Sequence, residues 1–170
     1  ETVNVTADFD KNGGAGTDQA VLNGSPATVE FTAGPPSAAN SLISTTDDNA
    51  VADGADTNTV EVLVRDANSN PVPSSPVDVI LTGTGSAVVG SIPANTDGSG
   101  VISIDLTDTT AEALTVGFEV DSTAGSNTTS VTFVAGAASA ANSVISATAD
   151  NAVADGVNTN TVEVLVRDAN

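Results

Sequence analysis

Residues 37–68 of this chain return as residues 139–170 with five substitutions, at a constant offset of 102 positions. This copy constrains the fold more than any composition does. A period of about a hundred residues is one small globular domain per repeat, well beyond the roughly 20–50 residues of solenoid and propeller repeats. The complete unit runs over 35–136, because Val131, Thr132, Phe133, Val134, Ala135 and Gly136 mirror Val29, Glu30, Phe31, Thr32, Ala33 and Gly34. Residues 1–34 are then expected to be the C-terminal part of an upstream domain, and residues 137–170 the N-terminal part of a downstream one.

Within the complete unit, apolar residues alternate with polar ones and turn residues fall between the runs, the pattern of short antiparallel strands. Leu42 and Ile43 open a first strand. Val60, Val62 and Val64 share one face of a second, opposite Glu61, Leu63 and Arg65. Asp66, Ala67, Asn68, Ser69, Asn70 and Pro71 then force a turn, since Asn and Asp tolerate turn geometry and Pro fixes φ while removing a donor. Strands follow at 77–81, 87–89, 101–106 and 112–120, and Val131 with Phe133 completes the set. Ile102, Ile104 and Leu106 share a face, as do Leu114, Val116, Phe118 and Val120. Seven strands in about a hundred residues predict an all-β, immunoglobulin-like β-sandwich. The one helical candidate is a single turn at 49–52.

Three stretches carry a family resemblance. They are Ala52, Asp53, Gly54 with Thr59, Val60, Glu61, Val62; then Asp66, Ala67, Asn68, Ser69, Asn70, Pro71, Val72, Pro73; then Thr96, Asp97, Gly98, Ser99, Gly100. This string resembles the bacterial Ig-like domains that stand in tandem in intimin and invasin adhesins. The likeness spans the complete unit and restarts in the third. Ser69 departs from it, standing where that family usually has Gly. The resemblance implies a rod of Ig-like domains on the bacterial surface, carried by an outer-membrane-anchored parent protein and holding a receptor-binding tip away from the cell.

Charge and residue usage narrow the function further. Twenty-two Asp and Glu against three Lys and Arg leave the chain at −19. Nucleic acid and anionic membranes are therefore poor partners, and cations good ones. The same acidity also keeps a repetitive surface protein soluble. The chain has no His, Cys, Tyr, Trp or Met, so nucleophilic sites that need Cys or His, and histidine-ligated zinc, are excluded within it. Most aspartates sit at turns, where they bond local backbone, and the expectation is a protein that is not an enzyme. No hydrophobic run approaches the length of about 20 residues that spans a bilayer, and no membrane contact is expected within the segment. Phe118 and Phe133 read as core residues, and Arg65 and Arg167 as surface partners of carboxylates such as Glu61.

Two acidic groups suggest calcium. Asp8, Asp10, Asn12 and Gly13 open a D-x-D-x-N-G loop of the EF-hand kind, with Asp18 one place before the last ligand position, which is occupied by Gln19. Oxygens at alternate positions wrap one hard cation, and Gly permits the sharp turn. The alternative is an acidic strand end followed by a Gly-rich hairpin loop. Asp47, Asp48 and Asp53 form the second group, a candidate for calcium at a domain junction or else a solvated loop. The copy keeps Asp150 and Asp155 but has Ala149 in place of Asp47.

The connectors 34–37 and 136–139 are short, and the first contains Pro35 and Pro36, so a semi-rigid rod is expected. The leading functional expectation is a non-catalytic stalk segment of a bacterial cell-surface adhesin, its immediate partners being neighbouring Ig-like domains and its host receptor bound through another region. Two rivals are Ig-like domains that themselves bind a host receptor or matrix ligand, and an accessory module of a secreted enzyme.

Overall fold

A computed structural model describes residues 2–5, 8–10, 19–21, 27–82 and 85–170. They fall into two units, Glu1–Gly34 and Pro35–Asn170. In the first, β1 (Thr2–Val5) pairs antiparallel with β4 (Ala27–Glu30), and β2 (Asp8–Asp10) with β3 (Gln19–Val21).

The second unit contains the sandwich. Its strands are β5 (Leu42–Asp47), β6 (Asn58–Leu63), β7 (Val77–Thr82), β8 (Val88–Val89), β9 (Val101–Thr107), β10 (Ala113–Val120), β11 (Thr123–Ala124) and β12 (Thr129–Thr132). One sheet has the order β5-β6-β9-β8; in the other, β10 is flanked by β7, β11 and β12. The short β11 was not anticipated; it pairs with the end of β10 through a turn in which Asp121 and Ser122 both take left-handed φ.

The two inner faces are those that the alternation requires. Val60, Val62 and Val64 are fully buried, as are Ile104, Leu106, Val116 and Val131, and Phe118 and Phe133 lie between the sheets at 1% and 2% exposure. Each such side chain contributes about 1.5–3 kcal/mol by leaving water. Glycine is required where backbone meets this core. A Cβ on Gly125 would lie 2.2 Å from Phe118 Cζ, and Gly125 N–H donates to the Phe118 carbonyl at 2.8 Å.

The expected helical turn at 49–52 does not form. Asn49 takes φ 67°, and Val51 instead makes a parallel bridge with Val134. The backbone N–H groups there are satisfied from outside the segment. Ala50 N–H donates to Asn58 Oδ1 at 2.9 Å, Val51 N–H to Asp56 Oδ2 at 2.9 Å, and Ala52 N–H to the Val134 carbonyl at 2.9 Å. Buried Asn58 also donates to the Thr132 carbonyl at 3.0 Å, so one side chain fixes this segment against β12.

Register defines two poles. Leu42 faces Leu63 and Asp47 faces Thr59, so the chain enters beside the 66–71 turn and β5 ends at the opposite pole. That far pole carries the loops 48–57, 85–87 and 108–112, and the chain leaves it after β12. Beyond it, β13 (Val144–Ala149) and β14 (Thr161–Leu165) repeat the β5–β6 hairpin with the same pairing and the same register shift, between Ala147 and Ala149 as between Thr45 and Asp47. Among the described residues no helix is long and apolar enough to cross a membrane.

Candidate functional site: acidic loops and the connector

The residues that carried the resemblance build turns and joints. Asp66, 2% exposed, accepts N–H groups of Asn68 and Asn70 at Oδ1, each at 2.9 Å, and the Asn70 amide at Oδ2. Ser69 in this turn takes φ 67°, a conformation that Gly adopts without a Cβ penalty. Buried Thr96 donates to the Val72 carbonyl and accepts Ser75 N–H, both at 2.9 Å. Asp97 Oδ1 accepts N–H groups of Ser99 and Val101. The Arg65 expectation does not hold. Glu61 accepts the Ser103 hydroxyl at 3.1 Å, and Arg65 Nε is buried with no hydrogen-bond partner among the described residues.

Of the aspartates singled out for calcium, Asp47, Asp48 and Asp53 bond local backbone or a neighbouring strand. Asp8 and Asp10 lie in β2, opposite Val21 and Gln19; Asn12 and Asp18 lie outside the described residues. Asp47 Oδ1 accepts Asp48 N–H at 3.0 Å, and Asp48 Oδ1 reaches across to Thr132 N–H at 2.6 Å. Asp53 Oδ1 accepts N–H groups of Ala55 and Asp56, both at 2.8 Å. Asp155 makes the equivalent turn in the copy, with Val157 and Asn158. Among the described residues no three carboxylates are grouped to hold one metal ion.

The Asp56 and Ala55 N–H groups hold the Asp53 carboxyl below its ordinary pKa of 3.8, against a small opposing effect of desolvation. A carboxyl lowered on folding stabilises the fold above its unfolded pKa, and that contribution is lost as pH falls through the folded value. Asp53→Asn keeps an acceptor but loses the charge. Its melting temperature should therefore lie below that of the original chain at neutral pH, and the gap should close on acidification below 3.8. Thermal melts followed by circular dichroism across pH measure this.

One constellation was not anticipated. Ser86 Oγ donates to Asp108 Oδ1 at 2.7 Å and lies 3.1 Å from Thr110 Oγ1 and 3.3 Å from Glu112 Oε1. Ser86 N–H adds a 2.6 Å bond to Glu112 Oε1, and the Asp108 carbonyl accepts Gly54 N–H at 2.8 Å. This knits the three loops of the exit pole together. Oxygens at 108, 110 and 112 have the alternate spacing already noted at Asp8 and Asp10; Ser86, far away in sequence, is the member that spacing does not disclose.

The connector after β12 is held on both sides. Gly136 N–H donates to Asp168 Oδ2 at 2.8 Å, Ser139 N–H to the Arg167 carbonyl at 2.7 Å, and the Asn142 amide to the Asp168 carbonyl at 2.9 Å. A Cβ on Gly136 would lie 3.4 Å from Val51 and 3.6 Å from Asp168 Oδ2, so this residue sits between the exit-pole loop and the next hairpin.

These features agree with what the chain is similar to. Residues 40–134, more than half of its length, match the family model of the bacterial Ig-like domain (group 1). Among solved structures, the Escherichia coli adhesin FdeC is 25% identical with a TM-score of 0.64, over 88% of this chain and 47% of that one. InvD of Yersinia pseudotuberculosis is 26% identical with a TM-score of 0.61, over 76% of this chain and 38% of that one. Invasin, a bacterial integrin-binding protein, shares the fold with a TM-score of 0.69 at 24% identity, over 89% of this chain and 30% of that one. The chain thus spans less than half the length of each. No curated protein matches it in sequence. The family model and the sandwich agree: the chain belongs to the bacterial Ig-like domains of group 1.

Proposed function

We propose that this chain is a non-catalytic stalk segment of a bacterial cell-surface adhesin, one stretch of a tandem array that spaces a binding tip from the cell. The observation that carries this reading is the connector. Between Val134 and Ser139 the connector is only four residues long, and its N–H groups at Gly136 and Ser139 are spent on the next hairpin. A joint tied in this way bends less than a Gly/Ser linker of equal length. Entry and exit at opposite poles extend an array with each domain added.

The domain division belongs to the same proposal: residues 1–34 and 137–170 are parts of neighbouring domains. Ile145, Val162, Val164 and Val166 are 57–69% exposed, whereas their copies Ile43, Val60, Val62 and Val64 are at most 5% exposed in the complete domain. An apolar face of this kind is the inner face of a sandwich. Within 35–136 the exposed large apolar residues among those described are Leu42, Val88 and Ile92, one each from β5, β8 and the loop after β8. They supply no aromatic or broad apolar patch for a receptor, which favours the stalk over the receptor-binding reading. In this reading the parent protein stands at the bacterial cell surface, anchored in the outer membrane, with receptor contact made elsewhere.

Small-angle X-ray scattering on arrays of one, two and three whole domains tests this. A maximum dimension that grows by a constant step per domain is expected. A compact particle of three domains would overturn the stalk reading.

A further inference from the structure

At the exit pole one buried carboxylate oxygen is left without a hydrogen-bond donor. Asp108 is 2% exposed, and its Oδ2 is buried without a hydrogen-bond partner. Its Oδ1 takes the Ser86 hydroxyl and Thr110 N–H, at 2.7 and 2.9 Å. Ser86 gives its one hydroxyl proton to Asp108, and its Oγ also faces Glu112 and Thr110, whose hydroxyl proton it can accept. Ionised carboxylates only accept hydrogen bonds. No Lys or Arg among the described residues bonds either carboxylate, so the negative charge there is offset by dipoles alone.

We propose that Asp108, Glu112, Ser86 and Thr110 form a calcium site that ties the 85–87 loop to the 108–112 loop at the pole from which the next domain leaves. Calcium takes six to eight oxygens at about 2.3–2.6 Å in a flexible geometry and accepts water for the remainder. Oxygens of Asp108, Thr110 and Glu112 lie 2.7–3.3 Å from Ser86 Oγ, so two carboxylates and two hydroxyls gathered in one place supply a hard, charge-compensating set of this kind. The donors alternate at 108, 110 and 112, so one short loop wraps the ion and Ser86 closes it from the other side. The unpartnered Asp108 Oδ2 becomes a ligand.

A proton shared between Asp108 and Glu112 is the competing way to settle the deficit. Burial pushes the Asp108 carboxyl up, while the Ser86 hydroxyl and Thr110 N–H bring it below its ordinary value, and Glu112 adds to that lowering only as a protonated donor. Glu112, half-buried, keeps access to water.

The test is a set of thermal melts on the 170-residue chain with millimolar calcium chloride, with magnesium chloride and with a chelator, repeated for Glu112→Gln and Asp108→Asn. Glu112→Gln keeps the acceptor for Ser86 N–H, so its fold in chelator is preserved. Calcium should raise the melting temperature of the original chain by about 5 °C or more, and magnesium by less. Both variants should lose the calcium rise. An unchanged melting temperature in calcium overturns the proposal. So does a rise that Glu112→Gln retains, which would move the ion to other carboxylates such as Asp8 and Asp10. If Glu112→Gln instead raises the melting temperature in chelator and calcium has no effect on the original chain, the pair shares a proton and the site is not a metal site.

Discussion

Replacing Phe118 by alanine should cost the sandwich about 3–5 kcal/mol, a large part of the roughly 5–15 kcal/mol that holds a domain of this size folded. The chain has four Phe and no Trp or Tyr, so few rings fill the space between the sheets. Phe118 stands at 1% exposure in β10, the strand to which β7, β11 and β12 all pair. Its ring lies under Gly125, where no Cβ is present to move into the gap. Collapse is therefore poor, which puts the loss at the high end of its class. Urea unfolding followed by circular dichroism should show a lower midpoint with an unchanged slope. A loss under about 1 kcal/mol would mean that the sheets do not close on this ring.

Gly100→Ala should cost about 2–4 kcal/mol although it adds only a methyl group. Gly100 takes φ +76°, and a Cβ there would stand 2.9 Å from Val72 N and 3.0 Å from the Val64 carbonyl oxygen. Both neighbours are backbone and cannot swing aside. They also pair with each other, Val72 N–H donating to Val64 O at 2.9 Å, while Val64 N–H donates to Gly100 O at 2.8 Å. The methyl group would pry open the place where β6, the 66–71 turn and the start of β9 meet. Gly98→Ala, with open space around its Cβ, is the matched control and should stay within about 0.5 kcal/mol. Equal melting curves for the two variants would sink the argument.

The sandwich was legible because alternation over β6, β9 and β10 leaves no other face to bury. The segment 49–52 was misread for a physical reason. Asn-Ala-Val-Ala has ordinary helix propensity, but Asn58, Thr132 and Val134, distant in sequence, offer its N–H groups and the Ala50 C=O better partners than a helical turn does. Arg65 was misread because four residues along an extended chain put it about 13 Å from Glu61, which accepts the Ser103 hydroxyl on the neighbouring strand instead. The Asp53 turn was within reach of sequence reasoning, since Asp before Gly is a turn signal. The Ser86–Asp108–Glu112 group was not, because it exists only once β8 and β9 have brought their loops to one pole.

The pairing of residues 49–52 with β12 has a mechanical consequence. Asn49 N–H donates to Thr132 O, Ala52 N–H to Val134 O, and Val134 N–H to Ala50 O, at 2.9–3.1 Å, and the Val51–Val134 bridge is parallel. In a stalk under load, force enters at residue 37 and leaves at residue 136, at opposite poles. Pulled in that direction, two parallel segments slide along each other, so their hydrogen bonds bear the force together instead of opening one at a time. The non-helical stretch after β5 thus acts as a shear clamp, and each domain should yield to tension abruptly and late.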